Sequence, residues 1–170
     1  SIASAALVHK AASAEALQSA TLASGQTVSA AINELTLKVG EKVGVRRVVL
    51  FSSSAGVVAS YIHGTKIGVL VEYTGGSPEF GADVAMHVAA ASPKYLNRAA
   101  ADQTDINKEK EIYAEQLRAQ KKPENIIENI VKGKIDKYFG EVCLLEQPFI
   151  KDEEMTVGKL AEKNGAQIIR

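Results

Sequence analysis

The sequence predicts an α+β protein in which antiparallel sheets pack with helices and a helical hairpin, an antiparallel coiled coil, protrudes from its place between strands. Three observations lead there. Val28, Ile32, Leu35, Val39 and Val43 recur at steps of four and three, the spacing of one helical face. Residues 46–74 then switch to alternating and β-branched runs broken by short turn signals, as antiparallel strands require. Residues 102–139 change composition again, being dense in Lys, Glu, Asn and Gln with an apolar stripe at helical spacing.

In chain order, residues 2–22 read as Ala-rich helix, and the Ser24-Gly25 turn signal separates them from the helix that starts near Val28. Gly40 and Gly44 supply the left-handed backbone that ends this second helix. Three strands of a meander follow at 46–53, 57–62 and 66–74, with His63-Gly64 in the tight turn between the last two. Ser77 and Pro78 form an N-cap and first-turn proline, so a helix is expected over 78–91. It carries Phe80, Val84, His87 and Val88 on one face. Lys121-Lys122-Pro123 makes the turn of the hairpin. Its first helix offers only Ile106, Ile112, Tyr113 and Leu117 to the stripe of Ile126, Ile127, Ile130, Val131, Ile135 and Tyr138. So thin a seam must lean on a core or on a partner, and it is compatible with self-pairing into a homodimer as well as with folding back. Residues 141–150 read as strand, 156–164 as a helix capped by Thr156, and 166–170 as the start of a strand. The expected domain organisation is a helical segment of a first core subdomain at 1–44, an α+β core subdomain formed by 45–101 and 140–170, and the inserted hairpin at 102–139.

At 170 residues and 18.1 kDa the chain is long enough for one buried core. Twenty bases balance twenty acids, so neither a nucleic acid nor a membrane surface is favoured as partner. One cysteine, Cys143, excludes an internal disulfide and any multi-cysteine zinc module, and no run of 18 apolar residues occurs. The reading is a soluble protein of a reducing compartment, the cytoplasm. The Ala-rich start has no basic leader, and a chain that opens on Ser1 and stops on Ile168-Ile169-Arg170 is expected to be a piece of a longer protein.

No phosphate-cradling G-x-x-x-x-G-K-[ST], no H-E-x-x-H, no G-x-S-x-G and no G-x-G-x-x-G is present, so no cofactor, metal or catalytic residue is assigned. His9 has no evident partner. His87 shares a face with Phe80 and Val84, which suits a core imidazole bonded to backbone or to a strand side chain. His63 stands at a hairpin tip, where it is either a plain turn residue or an exposed contact. Cys143 alternates with Val142 and Leu144 and reads as a small buried hydrophobe. Arg46 and Arg47 open a strand, so their side chains should point to opposite faces. Residues 102–122 hold five acids against five bases, a solvated helical face rather than a phosphate track. A small hydrolase or transferase using His63 with a carboxylate such as Glu72 or Glu141 is the enzymatic alternative, but the residues favour a binding protein.

Four strings go further: Lys38-Val-Gly-Glu-Lys-Val-Gly-Val-Arg-Arg47, Tyr61-Ile-His-Gly-Thr-Lys-Ile-Gly-Val-Leu70, Val84-Ala-Met-His-Val-Ala-Ala90 and Gly140-Glu-Val-Cys-Leu-Leu-Glu-Gln-Pro-Phe149. Their order and spacing resemble the core, or dimerisation, region of bacterial elongation factor Ts. The resemblance implies a guanine-nucleotide exchange factor that binds elongation factor Tu and promotes GDP release without an active site of its own. It also implies roles for residues. Val39 and Gly40 match the end of the helix that lies against the nucleotide domain of the GTPase. His63, with Gly64, matches a hairpin tip that approaches another domain of the same partner. Residues 102–139 resemble a coiled-coil module used in protein contacts, self-association among them. The family's small ubiquitin-associated-like domain and its Thr-Asp-Phe-Val motif are not matched, and no Asp-Phe pair occurs in the chain. The alternative is therefore a docking and dimerisation module without exchange activity.

Overall fold

Ser13, Thr27, Ser77, Asp102 and Thr156 each stand immediately before a helix, and each side chain accepts a backbone N–H of the first turn. They set most of the helix starts in the computed structural model, which describes residues 1–170. Two units result, residues 1–52 and 53–170.

The first unit is helical. The Ala-rich stretch expected to run to residue 22 is split into α1 (Ile2–Val8) and α2 (Ala14–Gln18). Lys10 takes a positive φ of 51° and Ser13 turns extended to cap α2, so side-chain competition for the backbone outweighs alanine's propensity. α3 (Val28–Val39) ends at Gly40, whose φ of 75° lets its N–H return to the Thr36 carbonyl at 3.0 Å. Ala5, Ala6, Leu17, Val28 and Ile32 form the core. Only the first half of the α3 stripe is buried, because Leu35 and Val39 are 44% and 52% exposed.

Beyond Gly40 the chain folds back, with the Val43 N–H donating to Thr36 Oγ1 at 3.3 Å. The strand expected at 46–53 does not form. Val45 and Val48 turn onto the helical core instead, and Arg46 and Arg47 are left exposed together rather than on opposite faces of a sheet.

In the second unit β1 (Val57–His63) pairs antiparallel with β2 (Ile67–Thr74), from Val57 opposite Tyr73 to His63 opposite Ile67. The third strand of this sheet is β5 (Gln167–Ile168), from the far end of the chain, which joins the other edge of β2. α4 (Pro78–Ala91) covers one face. Val71 and Tyr73 pack there against Phe80, Val84 and Ala85, with Leu144, Phe149, Val157 and Ile168 completing the core. Tyr73 meets Phe80 edge-on at 5.5 Å, and its hydroxyl donates to the Ser77 carbonyl at 3.2 Å.

α5 (Gln103–Ala119) and α6 (Glu124–Val142) make the helical hairpin, with Ile106 and Leu117 buried from the first helix and Ile127, Ile135 and Tyr138 from the second. The strand expected over 141–150 shrinks to β3 (Pro148–Phe149), after α6 has run on to Val142 and a 3₁₀ turn has formed at Leu144–Glu146. Val142, Cys143 and Leu144 are all buried, so the run that reads as alternating has no solvent face. Its backbone bonds go sideways: the Val142 carbonyl accepts from Lys94 and Tyr95 at 2.9 and 3.0 Å, and the Leu144 N–H donates to the Tyr95 carbonyl at 2.9 Å. Arg98 fastens the base of the hairpin through Asp136 and Glu146, each at 2.7 Å, and lies 4.5 Å over the Phe139 ring. The partner of β3 is β4 (Asp152–Thr156), an acidic strand with no apolar alternation to announce it, followed by α7 (Val157–Lys163).

Candidate partner-binding surface

Two patches carry the residues singled out above, one in each unit. In the first, α3 presents Val39 and the left-handed Gly40 at its C-terminal end. A β-carbon on Gly40 would meet nothing within 4 Å, so glycine is there for its backbone and for the open approach it leaves. Leu37, one turn before the end, is 85% exposed.

In the second unit the hairpin loop is Gly64-Thr65-Lys66, and Gly64 has φ of 59° with open space around it. His63 is exposed on the last paired position of β1. Its ring is not free to swing: Tyr61, two residues back and on the same sheet face, shares a hydrogen bond between Oη and Nδ1 at 3.1 Å and stacks at 6.1 Å. With the hydroxyl donating, the Nε2 proton points outward. Beside this pair a cavity of about 320 Å³ lies between Tyr61, His63 and Ile67 on the hairpin and Met86, Ala89 and Ala90 on α4, with Ile150 at its side. The i−2 spacing of Tyr61 makes it legible in the sequence as a same-face neighbour of His63, whereas Met86 becomes a neighbour only when α4 crosses the sheet.

Glu72 cannot serve His63, because it sits opposite Val58 and so faces the other side of the sheet. It is instead buried and accepts from Arg170 Nε at 2.6 Å. The Ser53 hydroxyl and Arg170 hold its carboxyl below the ordinary range. Glu141 gives its backbone carbonyl to Gln147. No dyad is assembled.

His87 is 1% exposed and bonded at both nitrogens. Nδ1 accepts the Ile150 N–H at 3.2 Å, so Nε2 carries the proton and donates to Gln147 Oε1 at 3.0 Å. Burial pushes its pKa down, opposed in part by Gln147, and the ring is a neutral peg between α4 and the segment after the hairpin. Cys143 is fully buried and its thiol is pushed up by burial, the opposite of an activated nucleophile. No three His, Cys, Asp or Glu side chains converge where they could hold a metal ion. No helix is long and apolar enough to cross a membrane.

The two patches are exposed, and no acid, base or nucleophile is assembled beside either. The family described as Elongation factor TS matches residues 1–170, the whole chain. The chain belongs to the elongation factor Ts family. Its curated relatives agree. Elongation factor Ts of Methylococcus capsulatus is 44% identical over 169 residues, 99% of this chain and 58% of that protein. The protein of the same name from Halothermothrix orenii is 47% identical over 150 residues, 85% and 50% of the two chains. That from Stutzerimonas stutzeri is 50% identical over 138 residues, 79% and 47%. The chain thus spans about half the length of the curated relatives it matches.

Proposed function

We propose that this chain binds elongation factor Tu and promotes release of its GDP, acting as a guanine-nucleotide exchange factor through protein contact alone. The observation that carries the reading is the match of the whole chain to the elongation factor Ts family, together with two exposed, rigidly capped projections at the positions that the family resemblance marks for contact. Val39 and Gly40 form one projection and His63 with Gly64 the other. Each is a protruding end held by its own backbone geometry, so little ordering entropy is lost when a partner covers it.

Exchange of this kind needs no acid, base or metal in the factor. A protein that prefers the nucleotide-free GTPase weakens GDP binding by the same factor by which GDP weakens its own binding. The work is done by differential affinity for two states of the partner. The helical hairpin, exposing Ile112 and Ile126 along its length, is a further protein-contact module, for a second copy of the chain or for the same GTPase.

The test is the rate at which fluorescent GDP leaves elongation factor Tu during a chase with unlabelled GDP. Addition of the chain at micromolar concentration accelerates release if the reading holds. Release at the intrinsic rate, with binding still detectable, would leave the chain a docking and dimerisation module.

A further inference from the structure

The fold-back after α3 gathers a charge that its own unit does not neutralise. Residues 1–52 contain five basic side chains, and four of them, Lys38, Lys42, Arg46 and Arg47, fall within residues 38–47 beside a single acid, Glu41. All four are exposed, and none makes an ion pair or side-chain hydrogen bond; every salt bridge of the chain lies in residues 53–170. The contact of the Val43 N–H with Thr36 Oγ1 brings the returning chain back alongside the helix end, and Val45 and Val48 are drawn to the core while the two arginines are left outside. Among these cations stand Leu37, 85% exposed, and Val39, 52% exposed.

The chain as a whole is electrically neutral, so this excess is local and not the by-product of a basic protein. Unpaired cations attract an anionic surface, which two classes of macromolecule offer. A phosphate backbone has nothing to place on Leu37 and Val39, whose exposure would remain a cost. A protein surface with an apolar centre and an acidic rim covers the two aliphatic side chains and meets the cations in one docking.

We propose that residues 37–47 are an electrostatic docking surface for an acidic, partly apolar protein face, in which Lys42, Arg46 and Arg47 speed the encounter and Leu37 with Val39 holds the complex. The proposal rests on the reading that the end of α3 meets elongation factor Tu, and it adds the chemistry that the facing surface must have. Long-range attraction acts on the association rate and is screened by salt, whereas apolar contact acts on dissociation.

Stopped-flow mixing of the full 170-residue chain with GDP-loaded elongation factor Tu, from low to high salt, separates the two. The triple variant K42E/R46E/R47E is expected to associate about tenfold or more slowly at low salt, with the difference shrinking as salt rises and the dissociation rate little changed. Lys42→Glu alone gives a smaller effect of the same kind and keeps the test informative should the triple variant fold poorly. Leu37→Ala raises the dissociation rate and leaves association unaltered. If the wild-type chain binds but the charge variants associate at its rate, the proposal is overturned while the family reading stands. If the wild-type chain does not bind elongation factor Tu, the functional reading fails and the proposal with it. Salt-sensitive binding of a short RNA duplex that the same substitutions abolish, with elongation factor Tu association unaffected, would assign the patch to nucleic acid instead.

Discussion

Among single residues, the two histidines of the second unit show how environment decides role. His63 and His87 are the same side chain, one exposed beside Tyr61 and one closed in by Gln147 and the Ile150 N–H. His63→Ala should weaken elongation factor Tu binding by about tenfold and leave the melting temperature where it was, because an exposed ring contributes little to the core. A fall of many degrees would make the residue structural. For His87 the consequence is a pH dependence. The buried ring resists protonation, while the unfolded chain takes up a proton near its ordinary pKa of about 6.5. Stability is therefore full above that value and declines as the pH falls through it toward the lower folded pKa. Melting temperatures at about pH 7.5 and about pH 5.5 should differ more in the wild type than in His87→Gln, which cannot titrate. Equal differences would contradict the account. The core placement of His87 was legible because its neighbours on the helix face, Phe80 and Val84, are apolar. Its partners were not, since Gln147 lies 60 residues away.

Elements were legible where local chemistry acts alone and failed where a distant segment competed. Caps and turn glycines sufficed for α3, α4, α7 and the β1–β2 hairpin. Residues 46–53 have strand-like composition, but Val45 and Val48 pack on the helical core, and the sheet takes its third strand, β5, on the β2 edge, away from β1. No local signal distinguishes those outcomes. Close packing between elements yields its own predictions. A β-carbon at Gly81 on α4 would overlap the Tyr73 ring on β2, so Gly81→Ala should cost about 1–3 kcal/mol despite alanine's better helix propensity, measured as a shift of the denaturation midpoint. An unchanged or raised midpoint would show that α4 and β2 are not closely packed at Gly81 and Tyr73. In the hairpin, Ile127 is 2% exposed toward the turn of the seam, and Ile127→Ala should cost about 2–4 kcal/mol. The loss should be local, with amide protection falling in the last turns of α5 and the first of α6 and persisting in α4. Loss spread evenly through α4 would mean that hairpin and core unfold as one.

For the whole molecule, the α+β class and the inserted hairpin followed from period changes along the chain, and the proposal of a contact role starts from a neutral composition without any catalytic motif. What the composition could not carry was the family, which enters with the match to the elongation factor Ts model. Nor did it reveal that Tyr61 orients His63 or that the chain beyond Gly40 returns to Thr36 with Arg46 and Arg47 left exposed, because those arrangements are made by tertiary geometry. An exchange factor must distinguish two states of one partner, and that difference is thermodynamic. Calorimetric titration of the chain into elongation factor Tu, once stripped of nucleotide and once saturated with GDP, measures that difference without reference to any rate. Tighter binding to the nucleotide-free form is the predicted result, and affinity that is equal for both forms, or greater for the GDP form, would contradict it.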